Sequence, residues 1–586
     1  MRTFGWVQNP SSFDNLQRVV QIFIKESPSH NYLLRTLSDI VVDPQMAAHL
    51  LCVLSADEIN PTYQDLVGTG SSVRSEAPCD ALAQASVKAQ KPGKRYVDNW
   101  SADGFTRWAE CLGFIQYHED TDSFTLTKRG RKFGTDSRPF KSNEALIEGL
   151  MAYPPVERVL QLLTDAHDNK AGHPHLSKFQ IGACLGFSGE PGFTSLSHDL
   201  VMRHLSDEPS QEMITKLRSN QEGSSDKYAR MICRWLENMG WVDKHTTQIN
   251  NPNFLKPLIF SHSYTVNLYG MQALKKIKGG SSHAAVSKNV TWYMLATNAT
   301  NKVYLRNRRT ALLNYLLRQN KAVGLQDIVE AMKGEGFTHI EGVFKKDIEG
   351  LNGCGINISN EGDKAKPLYR LRSKMAPVQL PQRQRRATLK DAELEHLKED
   401  LLGKLTTIES SWVELIEISR DGKQNQIFEA KVAELLETHY NLYTVPLGGP
   451  SKPDCLFTIK GNNGSTIGII VDMKAYKDGF TFSASEKDKM VRYITDNKRR
   501  DSSLNSTEWW LSFPPAAQDF RFLFVSSAFT STVDNHLSYI SQSTSTDGAA
   551  LDVEQLLIGA DLIASGAYPV ESLHAHFKNT EITFPR

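Results

Sequence analysis

The sequence predicts a multidomain protein in which α-rich repeated units precede an α/β domain with a mixed central sheet. Three observations support this fold class. The chain has 586 residues, which is too long for one domain. A helix–ribbon–helix pattern recurs in the N-terminal part, and helices alternate with short apolar strands after residue 390. We therefore expect a helical N-terminal part of several subdomains and one C-terminal α/β domain.

The first two repeated units share a helix that ends at a glycine. The matching segments are Trp108 with Leu112-Gly113-Phe114-Ile115, and Trp235 with Met239-Gly240-Trp241-Val242. Each is followed by a hydroxyl-rich strand (123–127 and 263–267) and then by Gly130 or Gly270. The pattern predicts a helix, a two-stranded ribbon and a second helix, which is the order of a winged helix-turn-helix. Such units mostly place one helix in the major groove, although a duplicated packing unit has the same pattern.

A third, degenerate copy spans residues 308–371. Its apolar periodicity predicts helices at 311–317, 325–332 and 342–351, with a ribbon that ends at Tyr369-Arg370-Leu371. Residues 375–386 then contain two prolines, three glutamines and three arginines without an apolar face, which is typical of a linker. We divide the chain into subdomain 1 (1–145), subdomain 2 (146–280), subdomain 3 (281–372), a linker (373–390) and a C-terminal domain (391–586).

The C-terminal domain alternates helices and strands. Periodicity predicts a long helix at 389–405, helices at 427–440, 485–499, 531–541 and 553–560, and strands at 454–459, 467–474 and 522–525. This alternation predicts helices packed around a mixed sheet.

Charge divides the chain into three regions. Residues 1–250 have 26 basic and 30 acidic side chains, 251–390 have 23 and 8, and 391–586 have 18 and 28, for net charges of −4, +15 and −10. A basic middle region is typical of a protein that binds a polyanion, and an acidic end is consistent with carboxylates around a metal. A solvated basic surface without a partner has the same composition.

Two carboxylates and a lysine carry the chemistry of the C-terminal domain. Asp454 follows a Gly-Gly turn at the start of one strand, and Asp472 and Lys474 end the apolar strand that begins at 467. Side chains two apart on a strand share a face, and pairing the two strands brings Asp454 beside Asp472. Two hard oxygen ligands suit Mg²⁺, and the lysine can stabilise charge on a phosphoryl group. The spacing predicts a magnesium-dependent phosphodiesterase site.

Other interpretations of these residues are open. Asp454 can be an ordinary turn residue, and Asp472 with Lys474 an exposed ion pair. An apolar strand that leads directly into Asp472 favours a functional role, because placing a charged side chain beside a buried strand costs free energy. Glu429 on the preceding helix is a candidate additional acid or simply part of a solvated helix face.

Composition also limits the location of the protein. No apolar stretch is long enough to span a membrane, and the N-terminus lacks the core of a signal peptide. The seven scattered cysteines form no C-x-x-C pair and indicate free thiols in a reducing cytosol, without zinc or disulfides. We expect a cytoplasmic protein with no membrane contact.

The chain resembles the FokI group of type IIS restriction endonucleases over nearly its whole length. The blocks that carry the resemblance are Arg2 to Pro10, Leu66 to Gly70, Arg74 to Asp80, Gly186 to Glu190 and Glu222 to Arg230. The resemblance implies α-rich winged helix-turn-helix recognition subdomains and an α/β PD-(D/E)xK nuclease domain. It also implies catalytic roles for Asp454, Asp472 and Lys474, with Asp454 and Asp472 as the Mg²⁺ ligands.

The resemblance further implies DNA contacts and partners. Base contacts fall on Gln8, Asn9, Arg74, Trp100, Glu222, Lys227 and Arg230, within an asymmetric GGATG-type site that the enzyme cuts to one side. Asp488 and Arg492 match the interface helix through which cleavage domains form a transient homodimer. At Thr495 of that helix the group usually has an acid. The implied partners are double-stranded DNA, a second copy of the chain and, in the same bacterial system, a methyltransferase that protects the host genome.

Two rival functions are also compatible with the sequence. One is a non-catalytic DNA-binding regulator built from winged helices, which a metal-dependent nicking assay distinguishes. The other is a repair or transposition nuclease that does not read a fixed sequence, and it would cut without one dominant site.

Overall fold

The computed structural model describes residues 4–69, 78–89, 93–169, 175–208, 210–281, 283–363, 365–381, 389–461, 464–529 and 532–585. The chain forms two compact units. Unit 1 comprises Met1–Ser188, Ser224–Asn250 and Phe254–Thr388, and unit 2 comprises Gly189–Gly223, Asn251–Asn253 and Leu389–Arg586. Unit 2 therefore combines the C-terminal α/β domain with a helical segment from the N-terminal part.

The helices are α1 Phe13–Gln21, α2 Pro28–Ile40, α3 Pro44–Ser55, α4 Tyr63–Val67, α5 Leu82–Ser86, α6 Asn99–Cys111, α7 Lys128–Thr135, α8 Glu144–Ala152, α9 Pro154–Asp168, α10 Lys178–Gly182, α11 His198–Asp207, α12 Gln211–Asn220, α13 Ser224–Met239, α14 Leu268–Lys278, α15 Lys302–Arg318, α16 Leu325–Gly334, α17 Glu341–Gly353, α18 Leu389–Lys404, α19 Leu415–Ile418, α20 Asn425–Thr438, α21 Ala484–Arg499, α22 Val533–Thr544 and α23 Val553–Ala564.

The strands are β1 Ile115–His118, β2 Ser123–Leu126, β3 Leu176–Ser177, β4 Val242–Ile249, β5 Leu258–Val266, β6 Val323–Gly324, β7 Ile358–Asn360, β8 Leu368–Leu371, β9 Tyr443–Pro446, β10 Cys455–Lys460, β11 Thr466–Lys474, β12 Ala517–Ser526, β13 Gly548–Asp552 and β14 Thr580–Glu581.

The two repeated units have the same local structure. In each unit a helix (α6 or α13) is followed by an antiparallel strand pair (β1–β2 or β4–β5) and a second helix (α7 or α14). Gly113 and Gly240 end the first helices with φ of +70° and +75°, a conformation that glycine adopts without the strain of a side chain. In the second repeat β3 also pairs with β5, so the sheet of this repeat has three strands instead of the predicted two.

The equivalent tryptophans of the two repeats pack on each other inside unit 1. The rings of Trp108 and Trp235 are stacked with centroids 4.7 Å apart and planes 14° apart, and both side chains are fully buried. The indole N–H of Trp235 donates to the carbonyl oxygen of Pro10 at 2.8 Å. Burial of two large stacked rings stabilises the contact between the repeats.

The helix predicted at 311–317 is longer than its apolar pattern indicates. It is α15, which begins nine residues earlier because Arg306, Arg308 and Arg309 lie buried within it. Arg308 and Arg309 pair with the carboxylate of Asp347 on α17, at 2.7 and 2.8 Å. The prediction of a short helix was wrong because buried arginines broke the apolar periodicity.

The same burial lowers the surface charge of the basic middle region. Lys288, Arg306, Arg308 and Arg309 are at most 6% exposed, so at least four of its 23 basic side chains do not face solvent. Met375 and Val378 lie in the segment predicted to be a linker, and both are buried. The backbone N–H of Val378 donates to the side-chain oxygen of Asn314 on α15, and the side-chain amide of Asn314 donates to the carbonyl oxygen of Val378. Residues 382–388 of that segment lie outside the described residues.

Unit 2 is built on a six-stranded mixed sheet. The strand order is β14-β13-β12-β11-β10-β9, in which β9, β10 and β11 pair antiparallel and β11 to β14 pair parallel. One face packs on α18, α19, α20 and α23, and the other packs on α21 and α22. This confirms the prediction of helices around a mixed sheet and places α20 and α21 on opposite faces of the hairpin β10–β11.

Two further observations concern membrane-spanning helices and the cysteines. In the described part of the chain, no helix combines the length and the apolar character that a membrane crossing needs. All seven cysteines carry free thiols, and five of them are buried.

Candidate active site

The hairpin β10–β11 brings the two predicted aspartates together. Cys455 lies opposite Val471 in the antiparallel register, and the backbone N–H of Asp454 donates to the carbonyl oxygen of Val471 at 3.1 Å. Asp454 therefore precedes β10 beside the end of β11, where Asp472 stands. The apolar run of β11 is buried on both faces, which is why the sequence forms a central strand at this point.

The loop before Asp454 fixes the position of this residue. Gly448 and Gly449 adopt φ of +56° and +99° and reverse the chain, and the N–H groups of Leu447 and Gly448 donate to the carbonyl oxygen of Asp454 at 3.0 and 3.2 Å. The N–H of Met473 donates to Oδ2 of Asp454 at 2.6 Å. These bonds hold the carboxylate against β11 instead of leaving it in a solvated turn.

Asp472 is the centre of a buried ionic cluster. Its side chain is 2% exposed; Lys474 Nζ lies 2.7 Å from Oδ2, and Lys489 Nζ lies 2.9 Å from Oδ1. Lys474 Nζ is also 3.1 Å from Oε2 of Glu486. The interpretation of Asp472 and Lys474 as an exposed ion pair is therefore wrong, because both side chains are buried.

Sequence reasoning missed Lys489 and Glu486, which α21 contributes to this cluster. Lys489 is 17 residues from Asp472 in the chain, and contacts of that separation leave no periodic pattern. The available signal was spacing within α21, because residues 486, 489 and 493 recur on one stripe of a helix.

Burial and like charges raise the pKa values of the acids around this cluster. Burial, with added repulsion from Asp472 and Glu429, raises the pKa of Asp454 well above its usual range. Glu429 on α20 has its pKa raised to about 7, first by burial and then by the charge of Asp472. Glu429 is partly buried and lies close enough to Asp472 to be repelled by it, which argues against its interpretation as a solvated helix residue.

This donor set suits a divalent cation. Two carboxylates that repel each other in a desolvated site are stabilised when a cation lies between them, and Mg²⁺ needs only one or two protein carboxylates. Across the described ranges, the structure places no group of three or more His, Cys, Asp or Glu side chains for metal binding. The residues that could hold such an ion are Asp454 and Asp472, beside Glu429.

Three of the residues predicted to contact DNA lie in the N-terminal part of unit 1. Asn9 is exposed and Gln8 is partly buried with its side chain bonded to Tyr228. Trp100 is 43% exposed, so it is not a core residue. Its indole N–H lies within hydrogen-bonding reach of the Asn9 side-chain oxygen in the favoured orientation of that amide. The structure thus brings Asn9 and Trp100 together.

Two of the other predicted DNA contacts, Lys227 and Arg230, lie on α13. Lys227 and Arg230 are partly buried and three residues apart on α13, so they share one helix face. Glu222, which precedes that helix in the chain, is 8% exposed and belongs to unit 2. Arg74 lies outside the described residues.

The two residues predicted at a dimer interface share the outer face of α21. Asp488 and Arg492 are both exposed and four residues apart. Lys489 and Tyr493 lie on the inner side, so this one helix borders both the ionic cluster and solvent.

Comparison with known proteins covers the whole chain. Four family models match: "FokI, recognition domain, subdomain 1" at residues 2–136, "FokI, recognition domain, subdomain 2" at 149–280, "FokI, D3 domain" at 295–363 and "FokI, cleavage domain" at 391–583. The chain is 38% identical to the type II restriction enzyme FokI of Planomicrobium okeanokoites, covering 100% of this chain and 99% of that one. It is 27% identical to the type II restriction enzyme StsI of Streptococcus sanguinis, covering 95% and 92%.

Solved structures give the same result. The structure of restriction endonuclease FokI bound to DNA matches with a TM-score of 0.88 and 38% identity, and a second FokI structure matches with a TM-score of 0.86 and 37% identity. Both matches cover 100% of each chain. With recognition and cleavage domains both present, the chain is a type IIS site-specific deoxyribonuclease and belongs to the FokI family of restriction endonucleases.

Proposed function

We propose that this endonuclease binds an asymmetric GGATG-type site in double-stranded DNA and cuts both strands at a fixed distance to one side. The observation that carries the cutting step is the buried cluster of Asp454, Asp472 and Lys474 at the end of the hairpin β10–β11. The proposed sequence specificity rests on the resemblance of the recognition blocks to those of the FokI group. The structure of the FokI relative has been solved bound to DNA.

Asp454 and Asp472 are the proposed Mg²⁺ ligands. Restriction endonucleases of this type need a divalent metal, and the carboxylate oxygens of these two residues favour a hard cation. When bound, the ion polarises the scissile phosphoryl group and lowers the pKa of a water molecule.

The protein side chains supply position and charge around that ion. The N–H of Met473 and the backbone of the preceding loop keep the Asp454 carboxylate oriented toward β11. Lys474, held by Asp472 and Glu486, presents a fixed ammonium that can stabilise negative charge developing on the phosphate. Because the cluster is largely removed from water, this charge acts more strongly than it would on the surface.

Recognition is proposed to rest on Gln8, Asn9, Arg74, Trp100, Glu222, Lys227 and Arg230. Asn and Gln can bond adenine with two hydrogen bonds, Arg and Lys can bond guanine, and Glu can accept from the amino group of cytosine. Phosphate contacts from winged helix-turn-helix subdomains would fix the register. The boundaries 1–145, 146–280, 281–372, 373–390 and 391–586 are proposed as the functional division of the chain.

One cleavage domain contains one cluster, so cutting two strands calls for two domains. We therefore propose transient homodimerisation through the α21 face that carries Asp488 and Arg492, which is exposed. A methyltransferase of the same bacterial system would protect the host genome, and the enzyme would act in the cytoplasm.

The test is digestion of a plasmid that has one GGATG site, with Mg²⁺ or with EDTA, followed by run-off sequencing of both product ends. We expect staggered ends at one fixed distance on one side of the site, and no cutting in EDTA. Mg²⁺-dependent cutting without a dominant site would favour a nuclease with no fixed sequence. Site-specific binding without any cutting, at every protein concentration tested, would contradict the assigned active site.

A further inference from the structure

Helix α21 presents two different faces to its surroundings. Buried Met490, Tyr493, Ile494 and Asn497 point toward the sheet, while Asp488 and Arg492 are exposed. Lys489 lies at the border of the buried face, where its ammonium is 5.5 Å from the centroid of the Tyr493 ring. From this border position Lys489 reaches the end of β11.

Lys489 occupies the side of Asp472 that Lys474 leaves open. Its Nζ bonds Oδ1 at 2.9 Å, while Lys474 Nζ lies 2.7 Å from Oδ2. Both oxygens of this buried carboxylate are thus already in contact with a positive charge. A cation that binds Asp472 must displace one of the two ammonium groups, or its binding is weakened by repulsion from them.

The two lysines differ in how firmly they are held. Lys474 is 11% exposed and pairs with Glu486 as well as Asp472, so it is fixed from two sides. Lys489 is 31% exposed and sits on a flexible four-carbon chain that can turn toward water. Lys489 is therefore the ammonium that can leave at lower cost.

We propose that Lys489 is a positioning residue that holds and neutralises the Asp472 carboxylate before a divalent cation binds, and thereby weakens metal binding in the absence of DNA. This inference rests on the proposed role of Asp472 as a metal ligand. Loss of the Lys489 charge removes a competitor of like sign, so the empty site binds a divalent cation more tightly. A purely structural role for Lys489 predicts the opposite, because a disordered site binds more weakly.

The test measures Mn²⁺ binding by the full-length protein without DNA, using the electron paramagnetic resonance signal of free Mn²⁺. Lys489→Gln is expected to lower the Kd for Mn²⁺ about tenfold, whereas Lys489→Arg stays within about twofold of the unaltered protein because it keeps the charge. Lys487→Gln is the matched control. It removes the same charge from α21, but Lys487 lies against the ring of Tyr539 at 4.8 Å. Lys489→Met repeats the test, and thermal unfolding identifies a variant that fails to fold.

Unchanged or weaker Mn²⁺ binding by both folded variants, Lys489→Gln and Lys489→Met, would overturn the proposal. Equal tightening by Lys487→Gln would also overturn it, because the effect would then be general electrostatics. Asp472→Asn separates this failure from that of the site itself. If Asp472→Asn binds Mn²⁺ as tightly as the unaltered protein, the metal site is wrongly assigned.

Discussion

Asp454 and Asp472 place two carboxylates close together in a buried part of unit 2. Burial and the neighbouring Asp472 raise the pKa of Asp454, so its ionised form is destabilised in the folded protein without metal. Functional groups of this kind cost stability, since the same repulsion that favours metal binding opposes folding. The active site is therefore expected to be a local weak point of the metal-free protein.

Replacing Asp454 by Asn tests this cost. The amide keeps an acceptor for the N–H of Met473 but removes the repulsion, so the metal-free protein should gain about 1 kcal/mol of stability. Thermal unfolding in EDTA measures the gain, and cleavage of a one-site plasmid should be lost. A destabilised Asp454→Asn protein would contradict this account, because the charge of the carboxylate would then stabilise the fold.

Gly270 near the start of α14 is constrained by a close backbone approach. A Cβ at this position would lie 2.2 Å from the carbonyl oxygen of Trp241, whereas a Cβ at Gly280 would meet nothing within 4 Å. Gly270→Ala should therefore destabilise unit 1 by about 1–3 kcal/mol, and Gly280→Ala should change stability by less than about 0.5 kcal/mol. Chemical denaturation measures both, and equal effects would contradict the predicted clash.

At the scale of elements, α15 and α17 are joined by a buried ionic group. Burial alone would raise the pKa of Asp347, but the guanidinium groups of Arg308 and Arg309 outweigh it and hold the pKa below its ordinary value. Breaking a buried pair by removing one partner leaves an uncompensated charge, which costs far more than an exposed pair. The third subdomain thus depends on one carboxylate.

Asp347→Asn should destabilise this subdomain by about 3–5 kcal/mol at pH 7, because two buried arginines lose their counter-ion. A lowered carboxyl pKa stabilises the fold above the unfolded pKa of about 3.9, and this contribution is lost as the pH falls through the lower folded value. The difference between variant and unaltered protein should therefore shrink below about pH 4. Denaturation at several pH values tests this, with Glu349→Gln on exposed α17 surface as the control.

The same elements show what the sequence could predict. The strand β11 was predictable because it is a continuous apolar, β-branched run, and its pairing with β10 placed Asp454 beside Asp472. The start of α15 was not predictable. From the sequence alone, buried arginines whose partner lies on another helix cannot be distinguished from solvated arginines. The role of Lys489 was not predicted for the same reason. Its partner, Asp472, lies on a strand, and contacts between elements leave no local pattern in the sequence.

At the scale of the whole molecule, the described residues of one chain contain one cluster of Asp454, Asp472 and Lys474, and the proposed cut of both strands uses two such clusters. The exposed residues Asp488 and Arg492 on the outer face of α21 are the proposed meeting surface. Cleavage by two domains depends on the concentration of the second copy, so the rate should rise more steeply than linearly with protein concentration.

Arg492→Ala should weaken this association without touching DNA recognition. We expect about tenfold slower cleavage at low protein concentration, recovery when the concentration is raised, and unchanged binding in a gel-shift assay. Arg499→Ala, which alters an exposed arginine near the end of the same helix, is the control. Equal slowing at every concentration would argue against a role in pairing.

The most direct measurement of the central claim is the cleavage rate of Asp472→Asn on a one-GGATG plasmid in Mg²⁺, with DNA binding measured in parallel on the same duplex. The variant should bind the site as tightly as the unaltered protein and cut it at least about 10³-fold more slowly, because the carboxylate at the centre of the cluster is gone. Cutting by Asp472→Asn within about tenfold of the unaltered rate would contradict the assignment of this cluster as the active site.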